Sequence, residues 1–290
     1  MSILLFPGQG SQFQGMGKEL YDSNPEAKKL FDQADEILGF SLSEVMFNGS
    51  EEDLKQTAVT QPAVFLHSYA RFHTNRETVN IGGVAGHSLG EITALAANGV
   101  LSFEDALSLV HKRAQAMQKA CDAQPGTMAA ILGLEDEVVE NLCQKTEGTV
   151  VAANYNCPGQ LVISGQLESV EKAVHQAKEQ GARRALMLNV GGAFHSPLME
   201  LARVELEAAI RDTEFNQSNI PIYQNVNGLP IMDSEQIQEN LIVQLTSSVK
   251  WTQSMKRMVA DGHTSYIEYG AKVLSGFLRR VDRSLDVTQV

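Results

Sequence analysis

Three side chains, far apart along the chain, have types and settings that suit acyl chemistry. Ser88 stands at the centre of Gly86-His87-Ser88-Leu89-Gly90, a G-x-S-x-G pattern. A strand pattern over 81–85 precedes it, and a small, apolar helical stretch ending at Gly99 follows. That context is what a nucleophile elbow requires: a sharp strand-to-helix turn that lifts a hydroxyl clear of a sheet edge. Glycines serve there because the turn is strained and backbones run close. The turn also aims the N–H of Leu89 at whatever Ser88 attacks, and the helix N-terminus adds positive partial charge. The same residues fit an ordinary serine in a tight connection, because a chain with 23 glycines offers many such patterns.

A serine nucleophile needs a base within hydrogen-bond reach. His195 is the best candidate, in Gly191-Gly192-Ala193-Phe194-His195-Ser196-Pro197. Ser196-Pro197 predicts a helix start, a hydroxyl cap followed by proline in the first turn. His195 is therefore expected on a rigid corner. The positive end of that helix would disfavour imidazolium and keep the ring ready to accept a proton. A corner histidine that simply packs beside Phe194 is the alternative. His87 adjoins the serine, but neighbours in a turn point apart.

The third side chain breaks a pattern. Over 103–121, apolar residues form one helical arc, yet Arg113 projects from within it, between Ala106 and Ala120. A guanidinium facing inward must find an anion, because isolated burial is very costly. Either it forms a structural ion pair, or it is a fork held ready for a substrate carboxylate. Beside a catalytic serine, the second reading predicts an acyl group with a free carboxylate at its far end.

The elements that must position these groups follow from periodicity. A buried strand over 3–6 ends at Pro7-Gly8 and leads into a glycine-rich loop over 8–17. Phe13 stands where a dinucleotide fingerprint needs glycine, and Met16 where a P-loop needs lysine, so neither nucleotide motif is present. Helical patterns cover 18–38 and 60–73. Strands at 127–132, 150–154, 161–164 and 185–190 alternate with helices at 135–145 and 168–180. This βαββαβ order is that of a ferredoxin-like unit. It predicts a small inserted subdomain, 125–192, within a larger α/β unit made of 1–124 and 193–290. Beyond it, a helix is expected at 197–211, a strand near 221–225, helices near 235–258, a strand at 265–268 and a last helix at 272–283.

Composition bounds the function. The net charge is −12, which argues against nucleic acid as a partner. Charge is uneven: residues 1–60 carry four Lys/Arg against ten Asp/Glu, whereas 250–290 carry seven against four. A locally basic tail of that kind fits an acidic partner, and equally a solvated, mixed surface. Cys121, Cys143 and Cys157 show no C-x-x-C spacing, and the seven histidines form no H-x-x-x-H pair. Buried free thiols in a reducing cytoplasm, without disulfides or a metal, are the expectation. The N-terminus lacks a basic n-region, and no apolar stretch approaches a membrane span.

Taken together, several motifs in order make the chain resemble the malonyl-CoA:acyl carrier protein transacylases of bacterial fatty acid synthesis and the related acyltransferase units of polyketide synthases. They are Phe6-Pro7-Gly8-Gln9-Gly10-Ser11-Gln12, Thr60-Gln61-Pro62-Ala63, Gly86-His87-Ser88-Leu89-Gly90-Glu91, and Arg113. Asn154-Tyr155-Asn156-Cys157-Pro158-Gly159-Gln160, Phe194-His195-Ser196, Gln244-Leu245 and Val249-Lys250-Trp251-Thr252 continue the likeness. The resemblance implies a hydrolase-like α/β fold, with a mostly parallel sheet, carrying the ferredoxin-like insertion. It implies that Ser88 carries the acyl group, that His195 is base and then acid, and that Arg113 clamps the malonyl carboxylate. The N–H groups of Gln9 and Leu89 would form the oxyanion hole. Gln244 would lie beside His195, near carbonyls that orient the ring, and Asn156 and Met117 would line the site. No cofactor is implied, since coenzyme A enters as a thioester substrate. The expected partners are malonyl-CoA and an acidic acyl carrier protein bound transiently, with the enzyme a cytoplasmic monomer. A serine esterase or thioesterase, a trans-acting polyketide acyltransferase and a non-catalytic carrier-binding protein are the rival readings. One departure stands out: Tyr269-Gly270-Ala271-Lys272 replaces the family's Gly-Pro-Gly-Lys, which should loosen or re-aim that turn.

Overall fold

Ile3, Leu4, Leu5 and Phe6 are all fully buried. A continuous apolar run of this kind suits a strand covered on both faces, and it occupies the middle of a sheet. The computed structural model describes residues 1–290. The chain begins with strand β1 (Ser2–Phe6) and helices α1 (Lys18–Ser23), α2 (Pro25–Leu38), α3 (Leu42–Asn48), α4 (Glu51–Lys55) and α5 (Thr57–Asn75). Strand β2 (Ile81–Gly86) and helices α6 (Leu89–Ala97) and α7 (Phe103–Ala123) follow. Next come β3 (Thr127–Leu132), α8 (Asp136–Lys145), β4 (Val150–Cys157), β5 (Gln160–Gly165), α9 (Leu167–Glu179) and β6 (Arg184–Met187). The chain closes with α10 (Glu200–Arg211), β7 (Ile222–Tyr223), β8 (Pro230–Ile231), α11 (Ser234–Val243), α12 (Trp251–Ala260), β9 (Ser265–Glu268), α13 (Leu274–Val281) and β10 (Asp286–Gln289).

Two sheets result. The larger has the order β10-β9-β1-β2-β7-β8 and is parallel except for β8. The smaller has the order β4-β5-β3-β6 and is antiparallel throughout. In its own numbering that is 2-3-1-4, the arrangement of the ferredoxin-like unit predicted from the pattern. The mixed α/β class with a mostly parallel sheet is thus the one expected. Each sheet has its own apolar core: Ala129, Ile131, Val170 and Ala173 meet within the smaller one, while Leu4, Phe6, Ile92 and Leu107 belong to the largest cluster. Within β4, Asn154 forms an isolated parallel bridge with Val249, in the segment between α11 and α12.

Several boundaries differ from the sequence reading, for local reasons. The pattern over 18–38 is two helices, because the Asn24 side chain accepts from the N–H groups of Glu26 and Ala27 and Pro25 starts a new helix. Pro197 begins a 3-10 turn, and the α-helix expected from 197 starts only at Glu200. The sixth strand stops at Met187 rather than 190. Residues 244–250 break the helical run expected over 235–258. Strands β8 and β10 were not anticipated. Both are short edge strands, and the two residues of β8 are too few to show a period. No helix is long and apolar enough to cross a membrane.

Candidate active site

The G-x-S-x-G segment connects β2 to α6, and close packing explains both glycines. A Cβ on Gly86 would lie 1.8 Å from the Gly90 carbonyl oxygen, and one on Gly90 2.1 Å from that of Phe6. Between them the Gly90 N–H donates to the His87 carbonyl at 2.9 Å, closing a tight turn. Ser88 takes its first corner, with φ 53° and ψ −108°. That is the corner of a type II′ turn, where glycine is the usual residue. A side chain there costs about 1–3 kcal/mol, strain of the kind that gathers at active sites.

His195 is buried and meets this corner from the far side of the cleft. Its Nε2 lies 2.7 Å from Ser88 Oγ. Its Nδ1 lies 3.0 Å from the Gln244 carbonyl and 3.2 Å from that of Ser247. Carbonyl oxygens only accept, so Nδ1 carries the ring proton and Nε2 accepts from the serine hydroxyl. Two backbone carbonyls therefore take the orienting position that an acidic residue holds in a Ser-His-Asp triad. Burial, and then the Arg113 charge, lower the His195 pKa to about 3. The ring is thus a neutral acceptor, as expected, but the cause is desolvation with a neighbouring cation rather than a helix end. Gly192 allows a close backbone approach, since a Cβ there would lie 2.1 Å from Cys121 Sγ, whereas one on Gly191 would meet nothing within 4 Å.

Arg113, on α7, is 1% exposed. Its Nη2 donates to Ser88 Oγ at 3.0 Å and to Gln244 Oε1 at 3.3 Å, and its Nη1 donates to Gln61 Oε1 at 2.7 Å. It makes no ion pair. Its electrostatic partner is Glu91, fully buried in the first turn of α6. Burial pushes Glu91 up to about 7, while burial draws Arg113 down to about 10 against the pull of Glu91. The guanidinium is thus held by neutral amides and a hydroxyl, groups that a carboxylate can displace.

The remaining predicted residues gather around these three. A cleft is lined by Gln9, His87, Ser88, Arg113, Met117, Phe194 and His195, with Leu188 and Val190 from the smaller sheet's side. The Gln9 N–H donates to no acceptor in the chain, and Leu89 supplies the first N–H of α6, a position without an intrahelical acceptor. Gln244 donates from Nε2 to the Ser88 carbonyl at 3.2 Å. Asn156 stands one step back: its Oδ1 lies 2.9 Å from His87 Nε2, and it lines an adjoining cavity. The two cavities share Gln9, His87, Asn154 and Leu188. His87, given little weight in the sequence, is part of this wall. Gln61, Glu91 and Asn225 were not singled out as site residues; Gln61 and Glu91 lay within recognised motifs, whereas nothing local marks Asn225. No cluster of three or more His, Cys, Asp or Glu side chains is placed to hold a metal ion.

The model of the acyl transferase domain matches residues 3–274. This chain belongs to the acyl transferase family, among the malonyl CoA-acyl carrier protein transacylases. Within that family it is 45% identical over 291 residues to the malonyl CoA-acyl carrier protein transacylase of Bacillus subtilis, covering 99% of this chain and 92% of the relative. Among solved transacylase structures it is similar to the acyl-carrier-protein S-malonyltransferase of Bartonella henselae, with TM-score 0.96 and 37% identity over 100% and 95% of the two chains. It is also similar, with TM-score 0.95 and 35% identity over 99% and 95%, to a malonyl-transacylase solved in complex with its type II polyketide acyl-carrier protein. The family's turn before the last helix, altered here, is held from elsewhere. The Gly270 N–H donates to the Val290 carbonyl at 3.1 Å, and Gln289 Nε2 donates to the Gly270 carbonyl at 3.0 Å. The departure is therefore braced by β10 and Val290.

Proposed function

We propose that this chain transfers a malonyl group from malonyl-CoA to the phosphopantetheine thiol of an acyl carrier protein, through an ester on Ser88. The observation that carries the reading is convergence: Ser88 Oγ lies 2.7 Å from His195 Nε2 and 3.0 Å from Arg113 Nη2. In the first half-reaction Ser88 Oγ attacks the thioester carbonyl and its proton passes to His195 Nε2. The oxyanion is received by the N–H groups of Gln9 and Leu89, donors of a type worth about 100- to 1,000-fold in rate. The C–S bond breaks, and the coenzyme A sulfur leaves with the proton from His195. The carrier's thiol then gives its proton to His195 and attacks the ester, and Ser88 recovers its proton as it leaves. Arg113 holds the malonyl carboxylate throughout, which distinguishes this site from a general esterase. Coenzyme A acts as substrate, and the reaction calls for no cofactor.

The reading divides the chain into a large unit, 1–124 with 193–290, and an inserted unit, 125–192, with the cleft between them. The adjoining cavity, walled by Asn154, Asn156 and the apolar Val273, Leu274 and Phe277, suits an amide-bearing pantetheine arm. Two basic clusters distant in sequence come together near the β4–β5 turn. The Gly133 N–H donates to the Gly159 carbonyl at 2.9 Å; Arg183 packs on the first glycine, and Arg280 Nη2 donates to the Pro158 carbonyl at 3.2 Å beside the second. Arg183, Arg184, Arg279, Arg280 and Arg283 are all exposed, and the chain's arginine ion pairs go instead to Arg76, Arg203, Arg211 and Arg257. In a chain of net charge −12, this surface suits the acidic carrier. A cytoplasmic monomer that meets the carrier transiently completes the reading.

One experiment with two arms tests it. Mass spectrometry should find a malonyl adduct on Ser88 after malonyl-CoA alone, and Arg113→Ala should lose about 100- to 1,000-fold in loading rate, the scale of breaking a buried carboxylate pair. Arg183→Glu with Arg280→Glu should load normally but transfer slowly to the carrier. Undiminished loading in Arg113→Ala would overturn the substrate assignment, and fast hydrolysis indifferent to carrier would favour a thioesterase.

A further inference from the structure

Ser88 sits in a backbone conformation that its own side chain disfavours, so something must hold it there. Its carbonyl accepts from the Glu91 N–H within the turn and from Gln244 Nε2. Its N–H has a single acceptor, Asn225 Oδ1, at 2.6 Å. The other end of the same amide, Asn225 Nδ2, donates to the Gly86 carbonyl at 2.7 Å. The amide's orientation is not free: an N–H faces one end and a carbonyl the other.

The placement has a simple topological origin. Strand β7 pairs in parallel with β2 through Val84↔Ile222 and Ala85↔Tyr223, and there the backbone ladder stops. Asn225 lies two residues beyond Tyr223. Its side-chain amide, an isostere of a peptide group, makes the next two ladder bonds across the elbow. Asn225 is in turn fixed by its own backbone: its N–H donates to Glu91 Oε2 at 2.6 Å, and its carbonyl accepts from the Lys250 N–H at 2.8 Å. Glu91 is steadied by Gln224 Nε2 at 3.3 Å, and Gln224, Asn225 and Glu91 are all fully buried.

We propose that Asn225, anchored by Glu91, is the positioning residue that holds Ser88 in its strained corner. It thereby sets both the aim of the nucleophile and the plane of the following peptide, which carries the Leu89 N–H. Asn225 touches neither cleft nor substrate, so its loss should impair chemistry in both half-reactions and leave malonyl-CoA binding unchanged.

The inference rests on Ser88 being the nucleophile, and the test separates the two. The probe is a small, uncharged fluorophosphonate: Ser88 Oγ bonds to phosphorus, fluoride leaves, and the serine proton passes to His195. It needs neither Arg113 nor the carrier. Asn225→Ala should slow both labelling of Ser88 and malonyl transfer by about 100-fold, the cost of a small misplacement of reacting groups, at unchanged KM. Asn225→Asp is nearly isosteric. The introduced carboxyl can accept from the Ser88 N–H in either state but can donate to the Gly86 carbonyl only when protonated. Labelling of this variant should therefore recover relative to wild type as the pH is lowered. Glu91, Arg113, His87 and His195, the titratable groups around the elbow, are common to both proteins. If folded Asn225→Ala labels at the wild-type rate, or Asn225→Asp follows the wild-type pH profile, Asn225 does not hold the elbow. Should Asn225→Ala fail to fold, the pH profile of Asn225→Asp decides alone. Absence of labelling at Ser88 in the wild type would remove the nucleophile itself and the inference with it.

Discussion

Only two residues other than glycine have positive φ in this chain, Ser88 at 53° and His195 at 57°, and their side chains meet. The two corners are built differently. The serine corner is local: a closed turn between two glycines whose backbones lie against neighbouring carbonyls, with one side-chain amide bridging it. The histidine corner is held from a distance. Ser196 Oγ donates to the Ala193 carbonyl at 2.6 Å within it, but the ring is fixed by carbonyls some 50 residues further along, at Gln244 and Ser247. One corner presents a group that does not titrate in the useful range, the other a group whose proton affinity its surroundings set. Strain thus serves aim at Ser88, and at His195 it delivers the ring to carbonyls that choose its tautomer.

The strongest way to break the comparison is to remove each corner's side chain. Ser88→Ala should lower kcat by at least about 10⁴-fold, and His195→Ala by a similar amount, because each is idle without the other. The double variant should be little worse than either single one. Single-turnover malonyl transfer measures all three, and additive losses would mean that the two groups act separately.

That contrast also explains what the sequence could reveal. The serine corner was legible because its causes are neighbours: glycines two residues either side, a strand before and a helix after. The ferredoxin-like insertion was legible for the same reason, since its strands and helices each carry a clear period. Arg113 could be found because it violates its own helix's pattern. By contrast, Asn225 gained its role only when β7 came to lie beside β2. The carbonyls of Gln244 and Ser247 belong to a break in a helical run, where no residue type signals orientation. The depressed pKa of His195 was predicted in direction but credited to a helix end, whereas Arg113 arrives from another element altogether. Contacts made by backbone, or between elements far apart in the chain, leave little trace in composition or spacing.

Acid should separate the corners by a smaller margin. With His195 at about 3 rather than its ordinary 6.5, acylation of Ser88 by acetyl-CoA, whose acyl group carries no charge, should stay level as pH falls well below neutrality. A nearby cation disfavours imidazolium, so Arg113→Gln should raise the His195 pKa and move the acid limb to higher pH. The same depression means that the unfolded chain binds the extra proton first. His195 therefore contributes stability that is complete above about 6.5 and declines as pH falls towards about 3. An acid limb unmoved in Arg113→Gln would place the guanidinium too far away to act on the ring.

The smallest expected effect concerns an element that touches neither corner. Strand β10 pairs only with β9, yet Val290 and Gln289 hold both backbone groups of Gly270, in the turn that leads into α13. Gly270 has φ 118°, and a Cβ there would lie 2.5 Å from Ser68 Oγ and 3.2 Å from Pro7 Cγ, so this turn requires glycine. Glu268 then fixes the helix start, accepting from the N–H groups of Val273, Leu274 and Ser275 at 2.6–2.9 Å. Helix α13 brings Phe277 to the outer cavity and Arg279 and Arg280 to the basic surface, but nothing to Ser88 or His195. Deleting 286–290 should lower Tm by a few degrees, for a loss of about 1–2 kcal/mol. It should slow transfer to the carrier several-fold while fluorophosphonate labelling of Ser88 stays at the wild-type rate. If labelling falls in step with transfer, the two corners depend on the far edge of the sheet, and the local construction of the serine corner is not sufficient to hold it.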